Sequence, residues 1–279
     1  MTHSLIGLKC LALLIICLFS CKKDAVIDPG SDPNFKIIAH NDDIHARFIK
    51  KVVVFGIDIY AVEAVEDEKL LHAANVMAQY LDNNEDAVID DSLVHAKMIE
   101  NQAFLVMWKK ERDLNMNFPS NRHGQDLGND ETHPSFVRNG KSGEFDASLE
   151  EVLHLIHHAG HVYAYPEAFG PSFNASLSKA MDIARGGQFI EVPETYPEDA
   201  WYTYDDETCE YVNCQTIEYM YWALTSILGA QENRLDEIGQ EWKLNTKAKV
   251  ANMDTAIYAL LTNPIYSMPT QLPDGTYRH

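Results

Sequence analysis

Basic residues are scarce in this chain. Lys and Arg number 22 against 42 Asp and Glu, a formal charge of -20 over 279 residues. Such an imbalance excludes unassisted binding to nucleic acid or to an anionic membrane surface. The sequence also lacks a Gly-x-Ser-x-Gly nucleophile elbow, and its Gly pair Gly186-Gly187 has no nucleotide-loop spacing, which removes the commonest serine-hydrolase and nucleotide-binding signatures. Internal repeats and low-complexity tracts are absent. Cysteines number only five, and none lies beside a His and a basic pocket of the kind that activates a thiolate. What is abundant is apolar: 46% hydrophobic and 10% aromatic residues exclude a mostly disordered chain and leave room for a real core.

The first twenty residues combine a weakly basic start, Met1 to Lys9, with a short apolar core, Cys10 to Phe19. That core is too short for a stable membrane span and reads as a signal peptide. It closes on Leu18-Phe19-Ser20-Cys21, which resembles the lipobox of bacterial lipoproteins. The following Lys22-Lys23-Asp24 is similar to the start of lipoproteins from the Bacteroidetes group. The resemblance implies that residues 1–20 are removed and that Cys21 carries diacylglycerol and palmitate. It further implies that the mature chain sits on the lipid bilayer of the cell envelope, at the outer membrane, facing either the periplasm or the surface. An ordinary secretory peptide is the alternative. Residues 21–34, rich in Asp, Pro and Gly, then serve as a tether. Cys10 and Cys17 leave with the peptide, so Cys209 and Cys214 remain, and an oxidising compartment allows them to form a disulfide. A bridge across five residues requires a turn or a helix start between them.

Residues 35–279 are expected to form a single compact α+β domain, predominantly helical in its C-terminal half. The run Lys50 to Val62, interrupted by Gly56, reads as a strand with a bend or bulge. Asp67 to Leu81 carries apolar residues at helical spacing, and a short helix is expected near Ser92 to Glu100. Ala103 to Trp108 is too short to declare its period, and residues 111–146 read as a long polar loop or lid. Helices are expected at about 147–163, 176–185, 212–229, 234–243 and 248–262. Asp82, Asn84, Asp86 and Asp90 occupy oxygen-ligand positions of an EF-hand-like loop, which suggests Ca2+. Ala87 and Leu93, however, replace the Gly and Glu that such a loop needs, so an acidic turn between helices is the other reading.

The chemistry concentrates in Leu149-Glu150-Glu151-Val152-Leu153-His154-Leu155-Ile156-His157-His158-Ala159-Gly160-His161. At 100° per residue, Glu151, His154 and His158 share an arc of roughly 60° opposite the apolar stripe, with Glu150 and His161 at its flank. His at i and i+4 can place two imidazoles on one ion. Two registers meet that spacing, His154 with His158 and, as the alternative, His157 with His161. The second, His157-His158-Ala159-Gly160-His161, resembles the HExGH helix of zincin metallopeptidases, except that His158 stands where their catalytic Glu belongs. A third ligand is expected at Glu218, because an unpaired carboxylate in the otherwise apolar helix Thr216 to Ser226 is expensive to bury. The order of the two helices, and Glu218-Tyr219 with Ala223, is similar to zincins of the lethal-factor type, whose third zinc ligand is a Glu opening an aromatic-rich helix.

Together these readings imply a Zn2+-dependent hydrolase acting on a peptide or protein substrate. His154, His158 and Glu218 would hold the ion, Glu151 or Glu150 would take a proton from its water, and Tyr211 would donate to the oxyanion. The rival readings are a non-catalytic surface binding or interaction lipoprotein, in which the His and Glu residues form a satisfied polar network, and a catalytically silent relative of a metallopeptidase.

Overall fold

The computed structural model describes residues 34–115 and 117–279. Cys21, the signal peptide and all but the last residue of the tether lie outside the described residues.

The run around Gly56 is a hairpin and not a single bent strand. Strands β2 (Phe48–Val54) and β3 (Ile57–Val62) pair antiparallel with Val54 opposite Ile57. The two turn residues, Phe55 and Gly56, both have positive φ, 48° and 86°. A two-residue turn of this hand matches the twist of the strands it joins, and Gly supplies one of its two left-handed positions without strain. A short β1 (Ile38–Ala39) pairs antiparallel with β2. On the other side β3 pairs parallel with β4 (Phe104–Trp108), and β4 parallel with β5 (Gly124–Gly128). The sheet order is therefore β1-β2-β3-β4-β5, with β5 on an edge. Strand β5, Gly-Gln-Asp-Leu-Gly, falls within the stretch expected to be loop. Only Leu127 gives it an apolar residue, so neither an apolar run nor alternation announced it, and its pairing with β4 makes it a strand.

Helices α1 (Asp67–Leu81) and α2 (Ser92–Glu100) make the crossover from β3 to β4. Every α1 residue from Leu70 to Leu81 is buried, because the helix lies between the sheet and α3 (Ser148–Ile156). Val52, Val54, Ile57 and Ile59 contribute the sheet's side of this core at no more than 1% exposure, each worth about 1.5–3 kcal/mol.

After β5 the named elements are helical: α3, α4 (Val162–Ala164), α5 (Pro166–Phe169), α6 (Ser176–Arg185), α7 (Thr216–Leu228), α8 (Leu235–Ile238), α9 (Lys247–Met253) and α10 (Thr255–Leu261). The fold is α+β. The helix expected at 147–163 is interrupted, its α-helical pattern giving way to a π-helical turn at His157–His161. A second π turn, Tyr211–Gln215, leads into α7. The segment 248–262 divides at Asp254, whose side chain accepts from the amide of Ile257 and so caps α10. Cys209 and Cys214 are at disulfide distance, Cα to Cα 5.2 Å, with the helical start at Tyr211 between them.

Among the described residues no helix is long and apolar enough to cross a membrane.

Candidate metal centre

Helix α3 is amphipathic, yet its polar face is not left to water. One side packs on β5 and α1, and α7 crosses the other. His154 on that covered face is consequently only 6% exposed. Three carboxylates surround it. Glu151 Oε2 lies 3.5 Å from His154 Nδ1, one turn back on the same helix. Glu218 Oε2, from the first turn of α7, lies 3.6 Å from His154 Nε2. Donor atoms of Glu150, Glu151 and His154 lie within 4.8 Å of one another, so this group can hold a metal ion. Donors about 2.0–2.2 Å from one tetrahedral ion stand about 3.4 Å apart, which is close to the His154–Glu218 separation.

The electrostatics of the group favour protons on its acids and on its imidazole. Burial and the neighbouring Glu151 and Glu218 push Glu150 up to about 8, against the opposing pull of His154 and a hydrogen bond from Tyr221. Burial, with Glu151 adding repulsion, raises Glu218 as well. His154 goes up to about 9 although burial opposes its charge, because Glu218, Glu151 and Glu150 all favour the imidazolium. Farther out, Glu241 is raised to about 7 by burial and by Glu218, and Asp126 and Glu131 are raised by burial and by Glu151. Nε2 of His154 is buried and makes no hydrogen bond, its facing acid being Glu218 at ion-pair distance. The donor chemistry fits a divalent ion bound by oxygen and imidazole.

The surroundings hold each donor in place. Gln125 of the edge strand donates its Nε2 to Glu151 Oε2. The Tyr221 ring stands edge-on to His154, centroids 5.6 Å apart, and its hydroxyl accepts from Gln231 Nε2. Trp222, the next residue of α7, donates its indole N–H to Glu241.

Sequence reasoning placed Glu151, His154 and Glu218 together, and the structure brings them together. Glu150 belongs with them as a donor, not only as a base. His158 does not complete the group through its i+4 spacing to His154: the π turn begins between them, and the His158 ring pairs with His123, centroids 5.6 Å apart. His157 and His161 are buried on the side of Phe169, 5.9 and 5.5 Å from its ring. Burial holds His157 well below the usual range and brings His161 down to about 4. Asp91, the acid that acts on His161, already accepts from the amides of Leu93 and Val94 at the start of α2 and from the Tyr165 hydroxyl. Tyr211 is removed from the oxyanion role it was expected to fill, since its hydroxyl donates to Asp182 on α6. Tyr221, which the sequence also offers as an oxyanion helper from its place one helical turn after Glu218, stands beside Glu150 and His154.

In the acidic loop, Asp82 accepts from the amides of Asp86 and Ala87 and from the Tyr277 hydroxyl. Asn84 accepts from the amide of Asp86, Asp86 from that of Val88, and Asp90 from that of Asn83. Oxygens expected to ring Ca2+ thus accept amide hydrogen bonds within the loop. Ala87 occupies a left-handed position, φ 68°, which in an EF-hand belongs to Gly.

These shifts set a pH profile for the metal-free chain. Glu150 and His154 hold their protons more tightly when folded than unfolded, so their contribution is complete at low pH and is lost as pH rises through about 8 and 9. His157, His158 and His161 are depressed, His158 to about 3 by burial with His123 and His154 adding repulsion. Their contribution is present above about 6.5 and is lost as pH falls. Stability measured by urea titration should therefore peak near pH 6.5. Above that it should fall by about 1.4 kcal/mol per unit for each proton difference. Glu150→Gln should flatten the alkaline limb; an unchanged limb would show that Glu150 is not its source.

No protein-family model matches this chain, and no curated protein or solved structure is detectably similar to it.

Proposed function

We propose that the protein is a divalent-metal-dependent peptide hydrolase, lipid-anchored through Cys21 at the cell envelope. The observation that carries this reading is the grouping of Glu150, Glu151 and His154 of α3, with donor atoms within 4.8 Å of one another, beside Glu218 of α7, whose Oε2 lies 3.6 Å from His154 Nε2. The zincin spacing of ligand, carboxylate, two residues, ligand is then met by Glu150, Glu151 and His154, one turn or more before the histidine-rich register. In this assignment the carboxylate missing from HHAGH is supplied by Glu151.

Glu150, His154 and Glu218 are the ligands, and Zn2+ or Mn2+ suits such a mixed set. The bound ion supplies Lewis-acid polarisation of a carbonyl and acidification of water. Glu151 takes the proton of the attacking water at Oε1 or Oε2. Its hydrogen bond from Gln125 sets the orientation of that carboxylate. The substrate enters by the cleft of about 330 Å3 beside β5, whose wall includes Gln125 and Ile217, the neighbours of Glu151 and Glu218 in space and in sequence.

The test is Mn2+ titration of metal-free protein, expressed from residue 22 without a His tag. One equivalent should bind to the wild type, and Glu218→Ala should weaken it by about 10- to 100-fold, equivalent to about 1.4–2.8 kcal/mol. A wild type that takes up neither Mn2+ nor Zn2+ at neutral pH would overturn the reading.

A further inference from the structure

His158 and His123 belong to different parts of the chain, the π turn after α3 and the residue before β5. The fold brings their rings together, tilted, on one wall of the β5 cleft, centroids 5.6 Å apart and planes inclined by 33°. Nε2 of His158 is buried and has no hydrogen-bond partner. The other residues lining this cleft include Gln125, Asn213, Val162 and Ile217, with no Asp, Glu, Lys or Arg among them. Nothing charged is therefore at hand to satisfy the nitrogen, and a buried imidazole left this way is costly.

We propose that His123 and His158 form a second divalent-cation site, distinct from the carboxylate-rich group around His154, that takes a borderline ion such as Zn2+ or Cu2+. Bonds of about 2.0–2.1 Å from an ion to imidazole nitrogen put each ring centroid about 3 Å from the ion, so two such rings at a tetrahedral angle stand about 5 Å apart. The observed spacing is within a small side-chain adjustment of that value. Tyr163 fixes the His123 ring, with its hydroxyl 3.4 Å from Nε2 and its own ring edge-on at 5.4 Å, the kind of outer support that orients metal-binding histidines. Burial holds both imidazoles below their ordinary range, so both are neutral and competent as ligands at neutral pH. An all-nitrogen donor pair selects against Mn2+ and Ca2+, which prefer oxygen. That preference separates the two sites experimentally.

The inference does not depend on the hydrolase reading. The same metal-free protein is titrated with Zn2+ by calorimetry and with Cu2+ by electron paramagnetic resonance. Wild type should bind two equivalents of Zn2+, and Cu2+ should show coupling to imidazole nitrogens of both rings. His123→Ala/His158→Ala should lose one Zn2+ equivalent while keeping its Mn2+ equivalent, and H123A alone, at a half-buried position, should weaken that Zn2+ step at least tenfold. Loss of the Zn2+ step in these variants with no Mn2+ uptake by any form would sink the first centre and support this one. Zn2+ stoichiometry and copper spectra unchanged in both variants would overturn the second site.

Discussion

Replacing Glu151 with Gln is expected to lower peptide hydrolysis by about 10^2- to 10^4-fold, the usual span for losing a positioned general base, while leaving Mn2+ affinity within a few-fold of wild type. The expectation follows from how the acids divide around His154. Glu218 faces Nε2 at 3.6 Å. Glu151 faces Nδ1 and is held by Gln125 from the edge of the sheet, on the side of the cleft. In the proposed centre one acid is thus a third donor to the ion, and the other faces the proposed entry cleft. The measurement is mass-spectrometric cleavage of a broad peptide library by wild type and E151Q, with metal affinity determined on the same samples. Equal cleavage by the two proteins would take the base role away from Glu151. Loss of metal together with loss of cleavage would reassign it as a ligand. Gln125→Leu, which removes only the orienting donor, should give a smaller loss in kcat with little change in metal affinity.

The largest effect on stability is expected at Asp146, outside the centre itself. Its side chain is 1% exposed. Oδ2 lies 2.6 Å from Nε2 of His72 on α1, and Oδ1 accepts from the amides of His133 and Ser148. One carboxylate therefore ties α1, the loop before α3 and the first amide of α3 together. Burial opposes the charge, but His72, Ser148 and the His133 amide together hold the carboxyl below its usual range. Its stabilisation is accordingly present above the ordinary carboxylate pKa and disappears only as pH falls through the lowered one. Asp146→Ala leaves His72 buried without its partner and should cost about 3–5 kcal/mol in chemical unfolding at neutral pH. Because α3 carries Glu150, Glu151 and His154, the variant should also bind Mn2+ more weakly. A loss under 1 kcal/mol would mean that the pair is replaceable by water.

Much of the architecture was legible from residue order. Asp67 to Leu81 and Ser92 to Glu100 are helices with those bounds, because apolar spacing over two or more turns is a strong local signal and neither segment contains Gly or Pro. Strand β5 was hidden, since its residues become a strand only by pairing with β4. The hairpin at Gly56 was half visible: Gly marked the break, but Phe55 in a left-handed conformation was not to be expected from its residue type. Within the candidate centre, Glu151 and His154 could be named from their shared helix face, and Glu218 because a carboxylate in an apolar helix carries a cost that calls for a partner. His158 left the group because a helical wheel assumes a constant 100° step, and the π turn at His157–His161 breaks it.

The sequence by itself determined which residue types are present on α3 and α7 and that both helices form, since those are matters of local spacing and side-chain chemistry. Only the tertiary structure decided that α7 covers the polar face of α3, that His158 turns to His123 and that Tyr211 turns to Asp182. Each of those outcomes depends on contacts between residues tens of positions apart, which burial of the shared core selects and which no window of sequence contains.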